Sequence, residues 1–211
     1  MKTAKSFNTR KLVLLALLTA IVVMLQFLGA FIRFGPFSIS LVLLPIAVGA
    51  ALNGIYAGGW LGFVFGFVVL LSGDAGAFLA INPAATIAVV LLKGTLAGFA
   101  AGAAYRLICG KSRTIAAITA AAVCPIVNTG VFIIGSYLFF IPTLTEWGVA
   151  AGAANVTAYI FLILVSGNFL FELGLNLVLS PTIVRLIQYG QDRRIGSRAG
   201  ARSVYENDTC S

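Results

Sequence analysis

The sequence contains no histidine, and its six acidic residues face fourteen basic ones. Without imidazole, the usual general base of a serine or cysteine hydrolase is missing, as are the ligands of most catalytic zinc sites. Three cysteines, Cys109, Cys124 and Cys210, have no metal-ligand spacing. Charged residues make up only 9% of the chain, against about 25% in a soluble domain, which excludes an ordinary solvated surface. A complete phosphate-binding loop is also lacking. Gly110-Lys111-Ser112 imitates the end of one, but Tyr105 stands where the pattern needs its first glycine, and the segment leaves an apolar helix rather than a strand. The chain is not expected to bind ATP by itself.

What it has in abundance is uninterrupted apolar length, with 60% hydrophobic residues. Charge-free stretches cover 12–32, 34–73, 75–92, 114–145 and 147–171, each near or above the ~20 residues that a transmembrane helix requires. Barrel strands would be far shorter. The expected class is therefore an all-α polytopic membrane protein with six helices, over 11–31, 41–52, 56–71, 83–107, 114–141 and 153–189. Asn53-Gly54 is a turn signal that divides the stretch 34–73 into two passes, and Pro45 is expected to kink the first of them. Residues 1–10 form a basic cytoplasmic N-terminus, 11–189 one membrane domain, and 190–211 a Gly-, Ser- and Arg-rich tail too polar to bury a core, expected as disordered and cytoplasmic.

Basic residues set the orientation. Lys2, Lys5, Arg10 and Lys11 precede the first helix, Arg106, Lys111 and Arg113 join the fourth to the fifth, and five arginines from Arg185 to Arg202 follow the sixth. Twelve of fourteen thus fall on one side, and six spans then put both termini in the cytoplasm. Arg33, Asp74 and Glu146 are left as the charges of the outer loops. The N-terminal run also resembles a secretory signal, but its uncharged segment is long and no Ala-x-Ala site closes it. It is read as a permanent helix.

Two charges interrupt the spans, Lys93 and Glu172, and a lone charge in hydrocarbon is costly enough to need a reason. Each lies thirteen residues before an arginine, Arg106 or Arg185, so both are expected roughly 20 Å from the cytoplasmic end of their helices. Opposite charges at one depth suggest one polar chamber. Polar residues at helical spacing support three stripes: Asn82, Thr86 and Lys93; Asn128, Phe132, Ser136 and Phe139; and Asn168, Glu172 and Asn176. With Trp147 and Asn155 near its mouth, a blind-ended, outward-facing pocket for a small amphipathic solute fits this layout. Loops 31–40 and 73–83 could cover it. The plainer alternative is a buried structural ion pair, with the amides bonding neighbouring helices.

Small residues recur at every fourth position: Ala16 and Ala20, then Gly58, Gly62 and Gly66, then Gly94, Gly98 and Gly102. Both glycine series are read as packing inside the bundle, and the alanine pair as a docking face. Catalysis has little to stand on, since Ser166 would lie about 9 Å further out than Lys93 and a two-carboxylate protease would need a second buried acid. A stand-alone secondary transporter with Glu172 as proton carrier is the main rival, although no inverted repeat is visible.

At this point the chain resembles the substrate-binding S components of energy-coupling factor (ECF) transporters, which import vitamins and related micronutrients into prokaryotes. The resemblance covers about 11–190. It rests on Ala16-Leu-Leu-Thr-Ala20, Pro36-Phe-Ser-Ile-Ser-Leu41, Gly58-Gly-Trp-Leu-Gly-Phe-Val-Phe-Gly66, Gly73-Asp74, Ala80-Ile-Asn-Pro83, Leu91-Leu-Lys-Gly94, Pro125-Ile-Val-Asn-Thr-Gly130 and Asn168-Phe-Leu-Phe-Glu172. It implies a multi-pass protein of the prokaryotic cell membrane, no enzymatic activity and no cofactor. The solute would bind from outside between the outer loops and helices four to six, near Asn82, Thr86, Lys93, Asn128, Trp147, Asn168 and Glu172. Ala16 and Ala20 would meet a membrane coupling subunit, and two partner ATPases would supply energy. Met24 stands where the family's small-residue ridge often takes a further step.

Overall fold

The computed structural model describes residues 9–31, 33–34, 37–38, 41–165, 169–180, 182 and 184–185. The tail expected over 190–211 and Asn168 lie outside the described residues. Helix α1 spans Thr9–Phe31, followed by β1 (Arg33–Phe34) and β2 (Phe37–Ser38), a two-residue antiparallel pair with Arg33 opposite Ser38. Then come α2 (Leu43–Asn53), α3 (Ile55–Leu71), the single turn α4 (Gly76–Leu79), α5 (Pro83–Ile108), α6 (Arg113–Phe139) and α7 (Ile141–Ala150). The last described segment opens as α8 (Val156–Ala158), continues as a π-helix over Tyr159–Val165 and returns as α9 (Phe169–Ser180).

Apart from the two-residue β1–β2 pair, the regular structure among the described residues is helical, as the all-α class expects. Segments Lys11–Ala30, Pro83–Ile108 and Arg113–Phe139 are long and apolar enough to cross a membrane, while Leu43–Asn53, Ile55–Leu71 and Phe169–Ser180 are shorter apolar helices. These six match the six expected. Gly54, at φ 92°, turns the chain between α2 and α3 where Asn53-Gly54 signalled it. Backbone in that left-handed region favours glycine, and the Asn53 amide donates to the Lys11 carbonyl at 3.0 Å, tying the turn to the start of α1.

Three expectations need correction. Pro45 does not interrupt a helix interior: α2 starts at Leu43, so the proline sits in the first turn, where a missing N–H removes no intrahelical bond. The fifth helix ends at Phe139 rather than 141, because Pro142 cannot donate back to Leu138, and a separate helix, α7, begins at Ile141 with that proline in its first turn. The sixth pass is not one regular helix from 153, since it begins at Val156 and widens into the π-helix.

Helix α2 lies at the centre. Leu43, Pro45 and every residue from Ile46 to Leu52 are buried, and its eleven residues give only about 16 Å of rise. Around it Leu18 and Val22 of α1, Leu61 and Phe65 of α3, Ala97 and Ala101 of α5 and Ala116, Ala117 and Ala120 of α6 close one core. Lipid tails are as apolar as these side chains, so what holds the helices together is close packing rather than escape from water.

That packing is tightest between α3 and α5. A Cβ built on Gly58 would meet the Gly98 carbonyl, one on Gly62 the Gly94 carbonyl, and one on Gly66 the Val90 carbonyl; in return, Gly94 and Gly98 face the carbonyls of Gly62 and Gly58. Successive contacts run in opposite directions along the two helices, which are therefore antiparallel. The two glycine series are one another's packing partners inside the bundle.

Helix α5 starts at a built cap. Asn82, extended at φ −146° and ψ 92°, accepts the Ala85 N–H at 3.1 Å, with Pro83 in the first turn. Asn82→Ala is expected to lower stability by about 1 kcal/mol, seen as a modest fall in melting temperature of the detergent-solubilised protein.

Candidate functional site

The connection from α3 to α5 brings acidic and aromatic residues to one end of the bundle. Gly73, at φ 81°, turns the chain so that Asp74 follows the C-terminus of α3. Gln26 of α1 reaches across: its Nε2 donates to the Asp74 carboxylate and, at 3.4 Å, to the Ser72 hydroxyl. Gln26 is 2% exposed near the C-terminal end of the apolar helix α1, a position only a specific partner makes tolerable.

Beneath this bridge is a cavity of about 90 Å³. Since a single water needs roughly 10–15 Å³ on this measure, the space suits several waters or one ring with short substituents. Its polar wall is Gln26, Asp74, Thr86, Lys93, Asn128, Ser136 and Glu172. The apolar wall includes Phe65, Phe78, Phe132 and Phe140, with Val69, Val89 and Val90. Four helices, α1, α5, α6 and α9, and the α3–α4 turn supply the polar groups. Lys93 and Glu172 thus line one chamber.

Lys93 is held by electrostatics from both sides. Its Nζ lies 5.8 Å from the Phe65 ring centre and 5.4 Å from that of Phe132, distances at which ring faces attract a cation. Glu172 and Asp74 both act on it electrostatically. Glu172 is 3% exposed, and a charge so buried is tolerable only with compensation of this kind.

Two wall groups are different. Asn128 Oδ1 and Ser136 Oγ are buried with no hydrogen-bond partner among the described residues, a state that costs about 1–3 kcal/mol each. Both sit on α6, separated by eight residues and therefore on one face. Phe132 lies between them.

The remaining expected site residues are placed differently. Thr86 is on the wall, its hydroxyl donating to the Asn82 carbonyl at 2.8 Å. Asn82 itself is the α5 cap and does not line the cavity, and Asn155 is likewise a cap, accepting the Ala158 N–H at 2.7 Å. Trp147 stands one layer back, its ring 5.6 Å from that of Phe78, which also meets Phe132 at 5.8 Å and Phe140 at 5.0 Å. Phe139 points outward, and Phe140 takes its place on the wall. Asn176 is committed within α9, donating to the Glu172 backbone carbonyl at 3.1 Å. Gln26 is not among the expected residues, since one amide in an apolar helix gives no periodic signal. Asp74, expected only as a loop charge, joins the wall.

The cavity's lining comes from the C-terminal ends of α1, α3 and α6 and the N-terminal half of α5, away from the end that carries Arg106, Lys111 and Arg113. The family model described as "ECF transporter, substrate-specific component" matches residues 10–184. The chain belongs to that family. No curated protein and no solved structure matches it.

As an ECF substrate-specific component, the chain is a multi-pass membrane subunit of a transporter, and the family implies binding of a small molecule and association with an energy-coupling module. The match covers the whole helical bundle, from α1 through α9. In this S component Ala16 and Ala20 are both exposed on α1, on a face shared with Leu12, Val13, Leu17 and Met24.

Proposed function

We propose that this S component captures a small micronutrient, a vitamin or a close relative, from outside a prokaryotic cell membrane and delivers it inward as part of an ABC-type importer. The observation that carries this reading is the chamber in which Lys93, Glu172, Thr86 and Asn128 meet beneath the Gln26–Asp74 bridge. Its position at the end away from the basic α5–α6 loop supports access from outside, because basic loops stay in the cytoplasm. Asn82 and Trp147 support the site from behind, as helix cap and as ring packing.

Energy comes from partners in this reading. The sequence has no complete phosphate-binding loop, so two ATPase subunits act through a membrane coupling protein, and the exposed Ala16 and Ala20 face of α1 is where that protein docks. Asn168, which lies outside the described residues, is kept in this reading as a substrate contact.

Native mass spectrometry of the protein purified from cells grown in rich medium tests this function. A discrete small-molecule adduct, released on unfolding, is the expected result. Protein that is bare from every medium tried would end the binding role.

A further inference from the structure

We propose that the cavity, if it is the binding site argued above, selects a flat aromatic or heteroaromatic ring with uncharged or cationic hydrogen-bond donors at opposite ends, and rejects the matching carboxylate. The first observation is the pair of groups on α6 that have no partner among the described residues. Asn128 Oδ1 is 7% exposed by residue and Ser136 Oγ 1%, and both belong to the cavity wall. An amide oxygen only accepts, so its missing partner is a donor; the serine hydroxyl can take a donor as well.

Their spacing gives the ligand a length. Eight residues of α helix correspond to a rise of about 12 Å, which a six-membered ring with para substituents bridges with one hydrogen bond of ~2.9 Å at each end. Between the two groups lies Phe132, with the Phe78 ring 5.8 Å from it, and the volume of about 90 Å³ admits one such ring. Aromatic walls of this kind favour a flat partner that can stack or meet them edge to face.

The charge of the wall excludes the acid. Lys93 is the only cation among the described wall residues, and it already faces two carboxylates, Glu172 and Asp74, and two ring faces. A ligand carboxylate would bring a third anion to one ammonium.

Three near-isosteric probes decide the matter: 4-hydroxybenzamide, 4-hydroxybenzoate and the donor-free ketone 4-methylacetophenone, with affinity measured by ligand-observed NMR on the full chain in nanodiscs. The amide is expected to bind at least about tenfold more tightly than the acid or the ketone. In Asn128→Leu the amide is expected to lose that advantage over the ketone. The wild-type ranking stands by itself if the variant fails to fold. Equal or tighter binding of the benzoate, equal binding of the ketone, or silence from all three would overturn the proposed ligand class. A solute co-purifying with the protein despite such a result would leave the transport role intact, whereas bare protein together with silent probes would remove both.

Discussion

Gly62→Leu is expected to leave almost no folded protein in the membrane, while Gly130→Ala is expected to be neutral or slightly stabilising. At Gly62 the added carbon meets the Gly94 carbonyl of a neighbouring helix, and backbone cannot swing aside as a long side chain can. Overpacking against side chains alone costs about 1–3 kcal/mol. Forcing α3 away from α5 also opens the paired contacts at Gly58 and Gly98 and at Gly66, so the total should exceed that range. At Gly130, in the interior of α6, an added methyl carbon would have nothing within 4 Å. There alanine gains about 0.5–1 kcal/mol of helix preference. Size-exclusion profiles and thermal melts of the two variants check both signs, and a well-folded Gly62→Leu protein would refute the antiparallel glycine contact.

The second large effect is on binding. Lys93→Met and Glu172→Gln are each expected to weaken retention of the co-purified solute by about 10- to 100-fold, or roughly 1.4–2.7 kcal/mol, with the protein still folded. The two residues face one chamber, and either substitution changes both its hydrogen bonding and its field. Melting temperatures should fall as well, since removing one member of a buried pair strands part of the other's charge. The double variant should recover stability more than the single effects would sum to, because the residues act on each other, but it should not recover binding. Unchanged affinity in both single variants would make Lys93 and Glu172 a structural ion pair and nothing more.

Much of this architecture is legible in the sequence, for reasons that differ by residue. A charge in an apolar run is rare enough to stand out, which is why Lys93 and Glu172 point to a common chamber without knowledge of the fold. Glycines at four-residue spacing likewise announce a close contact, and Asn53-Gly54 a turn. Single amides are different. Gln26 carries no periodic neighbour, and its significance comes wholly from Asp74, 48 positions away, so only the fold could supply it. Asn82 and Asn155 have the composition of site residues but serve as caps, a distinction set by local backbone that spacing does not encode. The π-helix at Tyr159–Val165 is hidden because its residues are apolar whichever way the turn is wound.

The brevity and seclusion of α2 have a consequence for where this protein can work. A segment buried at nine of its eleven positions has few acyl chains to match, so changes in bilayer thickness act on the tilt of α1, α5 and α6 and leave the axis of the bundle in register. Membranes rich in short or long lipids should therefore alter how the outer rods lean without reshaping the hollow they enclose.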